Sequence, residues 1–215
     1  KLHRIGGNGM APATDPLAPK VVIGPGTGLG VAAWVPVDGH SGRPVPTEGG
    51  HVTLAARTAD EATVIQDAAM RHGHVSAERL VSGPGLLEML QSIAPRKLAD
   101  WPTPAAISDA ADAGAPEAVR VMDLFFGFLG TVSADLALSY GAKGGVYLGG
   151  GILKRKIDRL EASGFRARFE DKGRFRAYLA PIPTYLILED EPAFVGLAYA
   201  ARIALAVSDS SARNR

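Results

Sequence analysis

Lys20-Val21-Val22-Ile23-Gly24-Pro25-Gly26-Thr27-Gly28-Leu29-Gly30 is the stretch from which the fold of this chain becomes legible. A short β-branched run stops at a cluster of glycines, and a second apolar, valine-containing segment, Gly30 to Val37, follows at once. The pattern predicts two strands in a hairpin around a glycine turn. A second strand-then-glycine element, Gly145-Val146-Tyr147-Leu148 with Gly149-Gly150-Gly151, leads instead into a helical segment from Ile152 to Ala162. His51 to Ala55 is a third candidate strand and Thr184 to Leu188 the last.

Helical patterns lie between and around these strands. Asp60-Glu61 opens a helix carrying Ala62, Ile65, Ala69 and Met70, with its acids near the positive end. Ser76-Ala77-Glu78-Arg79 begins a short helix, and Ser82-Gly83-Pro84-Gly85 breaks it before another, Leu86 to Ile93. The longest pattern runs from about Pro116 to Tyr140, where Val119, Met122, Phe126, Leu129, Val132 and Leu136 form one apolar stripe. Gly127 and Gly130 within it cost roughly 1 kcal/mol each against alanine, which predicts close approach of another backbone. A closing helix spans Pro192 to Ala206. Mixed strands and helices make the class α/β, a mixed sheet flanked by helices with an antiparallel start. No internal repeat or second domain boundary is visible.

Composition sets the outer bounds. The chain has 215 residues, 47% hydrophobic and 21% charged, with a formal net charge of +1. Such a chain buries a sizeable core, and its charge balance points to neither nucleic acid nor an anionic membrane as partner. With no cysteine, disulfides, thiolate metal sites and cysteine nucleophiles are excluded, which is compatible with a cytoplasmic protein. No apolar run is expected to span a membrane. Lys1-Leu2-His3-Arg4 leads into Ile5-Gly6-Gly7-Asn8-Gly9 without the apolar core of a signal peptide, and it reads as a linker in mid-protein.

Glycine turns after strands expose backbone N–H groups and let phosphate oxygens approach without Cβ obstruction. At Gly26, Thr27 and Gly28 the threonine adds a hydroxyl, while Gly149, Gly150 and Gly151 precede a helix. Neither is a standard motif. A dinucleotide fingerprint from Gly24 meets Leu29 where glycine or alanine is required, one from Gly26 meets Val31, and no Gly-Lys-Ser/Thr ends a Walker loop here. Each turn standing alone also serves simply to close a hairpin or join a strand to a helix.

Glu48-Gly49-Gly50-His51, with Glu78 downstream, offers two carboxylates and an imidazole. Carboxylates accept from neighbouring hydroxyls and a neutral histidine both donates and accepts, which suits a compact polyol. Glycine freedom at positive φ would let Gly49-Gly50 aim Glu48 and His51 into one cleft. Singly, each residue has a plainer use: a solvated loop carboxylate, a histidine at a strand start, a residue at a helix N-terminus. Beside two glycine loops the binding role is the better reading. His72, His74, His51 and Glu48 could instead ligate a metal, but no HExxH or similar spacing supports zinc.

At these residues the chain resembles the bacterial ATP-dependent glucokinase family, of the hexokinase–actin–Hsp70 ATPase superfamily. The resemblance runs through Gly24 to Gly30, Glu48-Gly49-Gly50-His51, His74 to Gly85, Gly149 to Gly151 and Ala162 to Phe175. It implies a ribonuclease H-like, actin-type ATPase lobe with an inter-lobe linker over 1–19, a large C-terminal domain over 20–207 and a flexible tail over 208–215. It further implies that Glu48, His51 and Glu78 bind glucose, that Gly26, Thr27 and Gly28 face the ATP phosphates, and that Gly149, Gly150 and Gly151 lie by adenosine. ATP with Mg²⁺ and glucose are the implied ligands, and a homodimer is consistent with the family. The family's first phosphate loop, Asp-x-Gly-Gly-Thr, and its Asn-Asp pair, whose Asp is the general base, are not in this sequence. Asp15 sits in a Pro-rich stretch and does not fit either pattern. The expectation is therefore a glucokinase lobe with no catalytic base of its own and little or no activity alone. The rival readings are a non-catalytic sugar- or nucleotide-binding module and a hydrogen-bonded core with no ligand. Related repressor–kinase sugar kinases carry a Cys-rich zinc site that this chain, without cysteine, lacks.

Overall fold

The computed structural model describes residues 1–8, 15–38 and 41–213, with side chains described as far as Arg202. Its centre is a six-stranded mixed sheet in the order β1-β6-β5-β2-β3-β4. The predicted hairpin forms the middle: β2 (Lys20–Pro25) pairs antiparallel with β3 (Leu29–Pro36), and Gly24 faces Gly30 across it. β5 (Val146–Leu148) lies parallel to β2, and β6 (Thr184–Ile187) lies parallel to β5. Parallel neighbours need crossover connections, and here each crossover is built of helices that cover the sheet.

Two strands depart from expectation. Leu2–Gly6, predicted as linker, is edge strand β1, antiparallel to β6 with Leu2 opposite Ile187 and Gly6 opposite Thr184. It is half exposed and short, which is why alternation of apolar and polar residues is weak there. The third hairpin strand is β4 (Gly42–Thr47), not His51 to Ala55. Pro44 and Pro46 argue against a strand in sequence, but β4 is the edge of the sheet, where a missing N–H costs no ladder bond. Residues 15–19 of the predicted 1–19 linker form neither strand nor helix, and residues 9–14 lie outside the described residues.

Helix α1 (Ala59–His72) is capped by Thr58, whose hydroxyl accepts from the Glu61 N–H while Glu61 accepts from the Thr58 N–H. Its buried face is Glu61, Val64 and Ala68, while Met70 is 75% exposed. α2 (Ala77–Leu80) is the predicted single turn. The Ser82-Gly83-Pro84-Gly85 break is itself a helix start, with Ser82 accepting from the Gly85 N–H to cap α3 (Gly83–Ile93). α4 (Pro104–Asp112) precedes the central helix α5 (Pro116–Ser139). α5 is long and apolar enough, by length and composition, to cross a membrane, which corrects the reading that no segment is; 83% of that window is buried inside the fold.

The two α5 glycines have different causes. A Cβ on Gly130 would lie 2.5 Å from the Phe165 carbonyl, so here a second backbone does approach. That backbone is the start of α8 (Phe165–Glu170). A Cβ on Gly127 would meet the Glu61 carboxylate at 3.4 Å and the Arg168 guanidinium at 3.8 Å, both side-chain ends rather than backbone. Glu61 is itself buried and paired with Arg168 of α8 at 2.8 Å, tying α1, α5 and α8 together. The predicted helix over 152–162 is divided at Lys156 into α6 (Gly151–Arg155) and α7 (Ile157–Ala162). α9 (Arg176–Leu179) leads to β6. Arg166 donates to the carbonyls of Ala180 and Ile182, both at 2.9 Å, and to the Glu170 carboxylate at 2.7 Å. The Ala162-to-Phe175 stretch quoted for the family resemblance is thus built around two structural arginines, Arg166 and Arg168. α10 (Pro192–Arg213) runs past Ala206 into the expected tail, whose last residues, 214 and 215, lie outside those described. It presents Phe194, Val195 and Leu197 to solvent, with Tyr199 edge-on to Trp34.

Candidate functional site: paired glycine loops beside a carboxylate–imidazole set

The parallel pairing of β2 with β5 places their carboxyl ends side by side, and each ends in one of the glycine loops. In open α/β sheets this end of the strands is where ligands bind. The Gly149 N–H donates to the Ile23 carbonyl at 2.8 Å, continuing the ladder one residue beyond β5. Gly150 follows at φ +101°, with its Cα so close to the other loop that a Cβ would lie 2.2 Å from the Pro25 carbonyl. Glycine is required at this position by both conformation and space. Gly26 differs: its N–H donates to the Gly28 carbonyl at 2.8 Å, and no atom lies within 4 Å of where its Cβ would be. The loop surface at Gly26 is open, and Thr27 beside it is exposed. A cleft of about 260 Å³ adjoins Gly149, Gly150 and Gly151, lined also by Lys154, Asp190 and Pro192.

Glu48, His51 and Glu78 come together at the mouth of the hairpin. His51 Nδ1 stands 3.7 Å from the Glu48 carboxylate and Nε2 3.7 Å from that of Glu78. Glu48 is 91% exposed and Glu78 34%, so the set faces solvent with Glu78 at its base. Glu48 ends the β-hairpin and its carbonyl accepts from the His51 N–H at 2.9 Å, closing a single 3₁₀ turn over Gly49–His51. The glycines of that turn are not at positive φ, which corrects the expectation of a left-handed turn. Gly50 is required by proximity instead, since a Cβ there would lie 2.3 Å from the Leu29 carbonyl.

The segment after His51 is not a sheet strand. It makes a single bridge, Thr53 with Ser76, flanked by the Leu54 N–H donating to Val75 and the Ala77 N–H donating to Val52. These bonds carry α2 up beside the 3₁₀ turn and so bring Glu78 to His51. Glu78 Oε2 accepts from the Leu29 N–H at 2.8 Å. The Gly83 N–H, a few residues on, donates to the Gly26 carbonyl at 2.7 Å. Sequence reasoning missed both contacts: Leu29 and Gly83 act through their backbone, which carries no side-chain signal.

The metal alternative gains nothing from the geometry. His72 bonds Glu88 at 3.0 Å and His74 bonds Thr53 at 2.9 Å, away from His51. Among the described residues no group of three or more His, Asp or Glu could hold a metal ion.

A family model described as Glucokinase matches residues 8–204. The chain is 47% identical over 195 residues to a glucokinase of Paramagnetospirillum magneticum, covering 89% of this chain and 60% of that protein. To a glucokinase of Aromatoleum aromaticum it is 49% identical over 193 residues, covering 87% and 57%. The crystal structure of a glucokinase from an Antarctic psychrotroph superposes with a TM-score of 0.78 at 35% identity, over 88% of this chain and 58% of that one. This chain thus spans about three fifths of the length of the relatives it matches. It belongs to the glucokinase family.

Proposed function

We propose that this chain is the large, C-terminal lobe of a glucokinase, of the actin-type ATPase superfamily, holding glucose and ATP for transfer of the γ-phosphoryl group to the sugar's 6-hydroxyl. The observation that carries the proposal is the adjacency of the Glu48–His51–Glu78 set to two glycine loops joined backbone to backbone. Glu48 and Glu78 accept from sugar hydroxyls, and His51 between them donates or accepts. The Thr27 and Gly28 amides and the open face of Gly26 receive phosphate oxygens, and Gly149, Gly150 and Gly151 lie along the adenosine. Transfer of this kind depends on positioning and charge stabilisation rather than covalent chemistry by the protein.

Both cleft carboxylates serve as acceptors in this reading. The base that takes the 6-hydroxyl proton is assigned to the family's Asn-Asp pair, which this sequence does not contain. Mg²⁺ neutralises charge on the transferred group in such reactions, but the described residues include no acidic cluster of their own to hold it. It would therefore be held by the nucleotide's phosphates. A cytoplasmic location and a homodimer belong to the same reading.

Calorimetric titration of the 215-residue chain with glucose and with a non-hydrolysable ATP analogue tests the proposal. Binding of both is expected, with no glucose 6-phosphate formed when ATP is supplied. Failure to bind either ligand would overturn the lobe assignment. Brisk turnover by this chain alone would overturn the assignment of the base elsewhere.

A further inference from the structure

We infer that Glu78 is also a positioning residue for the glycine loop, so that one carboxylate serves the nucleotide as well as the sugar. The inference rests on the proposed sugar and phosphate roles above and extends them to a task neither assigns. The two oxygens of Glu78 are engaged differently. Oε1 faces His51 Nε2 at 3.7 Å, on the sugar side. Oε2 accepts from the Leu29 N–H at 2.8 Å, the first residue of β3 after the loop. The same oxygen lies 2.5 Å from where a Cβ of residue 28 would be, so the carboxylate rests directly on the loop backbone and would have to shift to admit a larger residue there.

This contact is one of a pair. The Gly83 N–H holds the Gly26 carbonyl at 2.7 Å from the same α2–α3 segment, and the Gly26 N–H holds the Gly28 carbonyl from within the loop. The far side of Gly26 is open. A glycine loop loses more conformational freedom on ordering than any other sequence, and a loop not held in advance must be ordered by its ligand. Without the Glu78 carboxylate the loop keeps, from the α2–α3 segment, only the Gly83 clamp. Nucleotide binding then weakens even when no sugar is present, an effect that a residue contacting only sugar would not produce.

The test measures the affinity of a non-hydrolysable ATP analogue in the absence of sugar, and separately of glucose, for the wild-type chain, Glu78→Gln and Glu78→Ala. Glutamine keeps an oxygen that can accept from the Leu29 N–H; alanine does not. Glu78→Ala is expected to weaken the nucleotide about tenfold, the equilibrium worth of one hydrogen bond to a charged group. Glu78→Gln is expected to stay within about threefold for the nucleotide, while both variants lose glucose affinity. The side chain is partly exposed, and thermal melts confirm that each variant is folded. Nucleotide affinity in Glu78→Ala equal to wild type overturns the inference and leaves the kinase reading intact. An equal loss in Glu78→Gln and Glu78→Ala overturns the hydrogen bond as its cause. A wild-type chain that binds neither ligand overturns the kinase reading itself, and this inference with it.

Discussion

Gly150 and Pro25 belong to different loops more than a hundred residues apart, yet a Cβ on the glycine would lie 2.2 Å from the proline carbonyl. The contact fixes the distance between the two glycine loops and makes the site a single unit. Gly150→Ala meets both this oxygen and an unfavourable φ of +101°, each a strain of about 1–3 kcal/mol. Chemical denaturation should register a loss of at least about 2 kcal/mol. Stability equal to wild type would mean the loops are not packed this closely.

Gly26→Ala is the complementary experiment. Its Cβ would point into open space, and the residue is not at positive φ. Melting temperature should change little, while the affinity for an ATP analogue falls because a methyl group stands where phosphate is proposed to approach. Unchanged nucleotide affinity in the folded variant would remove Gly26 from the proposed phosphate loop.

The α5 glycines give a second matched pair. Gly130→Ala drives its methyl into the Phe165 carbonyl at 2.5 Å and should destabilise by about 1–3 kcal/mol. Gly127→Ala meets only side-chain ends, Glu61 at 3.4 Å and Arg168 at 3.8 Å. It also gains helix propensity of roughly 1 kcal/mol, so it should be neutral or mildly stabilising. Urea unfolding of both variants decides the matter, and equal effects would contradict the packing of α8 on α5.

Glu61→Ala removes the partner of Arg168 and the carboxylate that accepts from the Thr58 N–H and, at 2.6 Å, from the Arg57 N–H at the head of α1. Deleting one member of a buried ion pair leaves the other uncompensated, and a loss of about 3 kcal/mol in unfolding free energy is expected. A loss below about 1 kcal/mol would place the pair in effectively solvated surroundings.

Acid should destabilise the α1–α3 contact in a defined direction. Hydrogen bonds from Ser92 and then Arg71 hold the Asp67 carboxyl below the ordinary carboxylate value. Burial alone would raise Glu88, but hydrogen bonds from His72 and Arg71 bring it below its ordinary value too. A depressed folded-state value means the stabilisation is present above the unfolded value, about 4, and is lost as pH falls through the lower folded value. Melting temperature followed from pH 7 to pH 2 should drop below about pH 4, and less steeply in Asp67→Asn with Glu88→Gln. An unchanged slope in that double variant would show that other groups govern the acid limb.

What was readable along the chain were the local periodicities. The β2–β3 hairpin, the strand before Gly149, the α5 stripe and the last strand, β6, follow from side-chain pattern, because each buries a continuous apolar face. Glu48, His51 and Glu78 were readable as chemical types, and the structure does gather them. The sequence did not disclose β1 or the proline-bearing β4, since edge strands owe their pairing to a neighbour rather than to their own alternation. It also misassigned the reason for Gly50, which is the proximity of Leu29, not a positive φ. Only tertiary structure decided that α2 is zipped to the segment after His51, and that Glu78 thereby rests on Gly28 and the Leu29 amide. Those contacts are made by backbone N–H and C=O groups, which every residue carries, so no residue type announces them until the chain is folded.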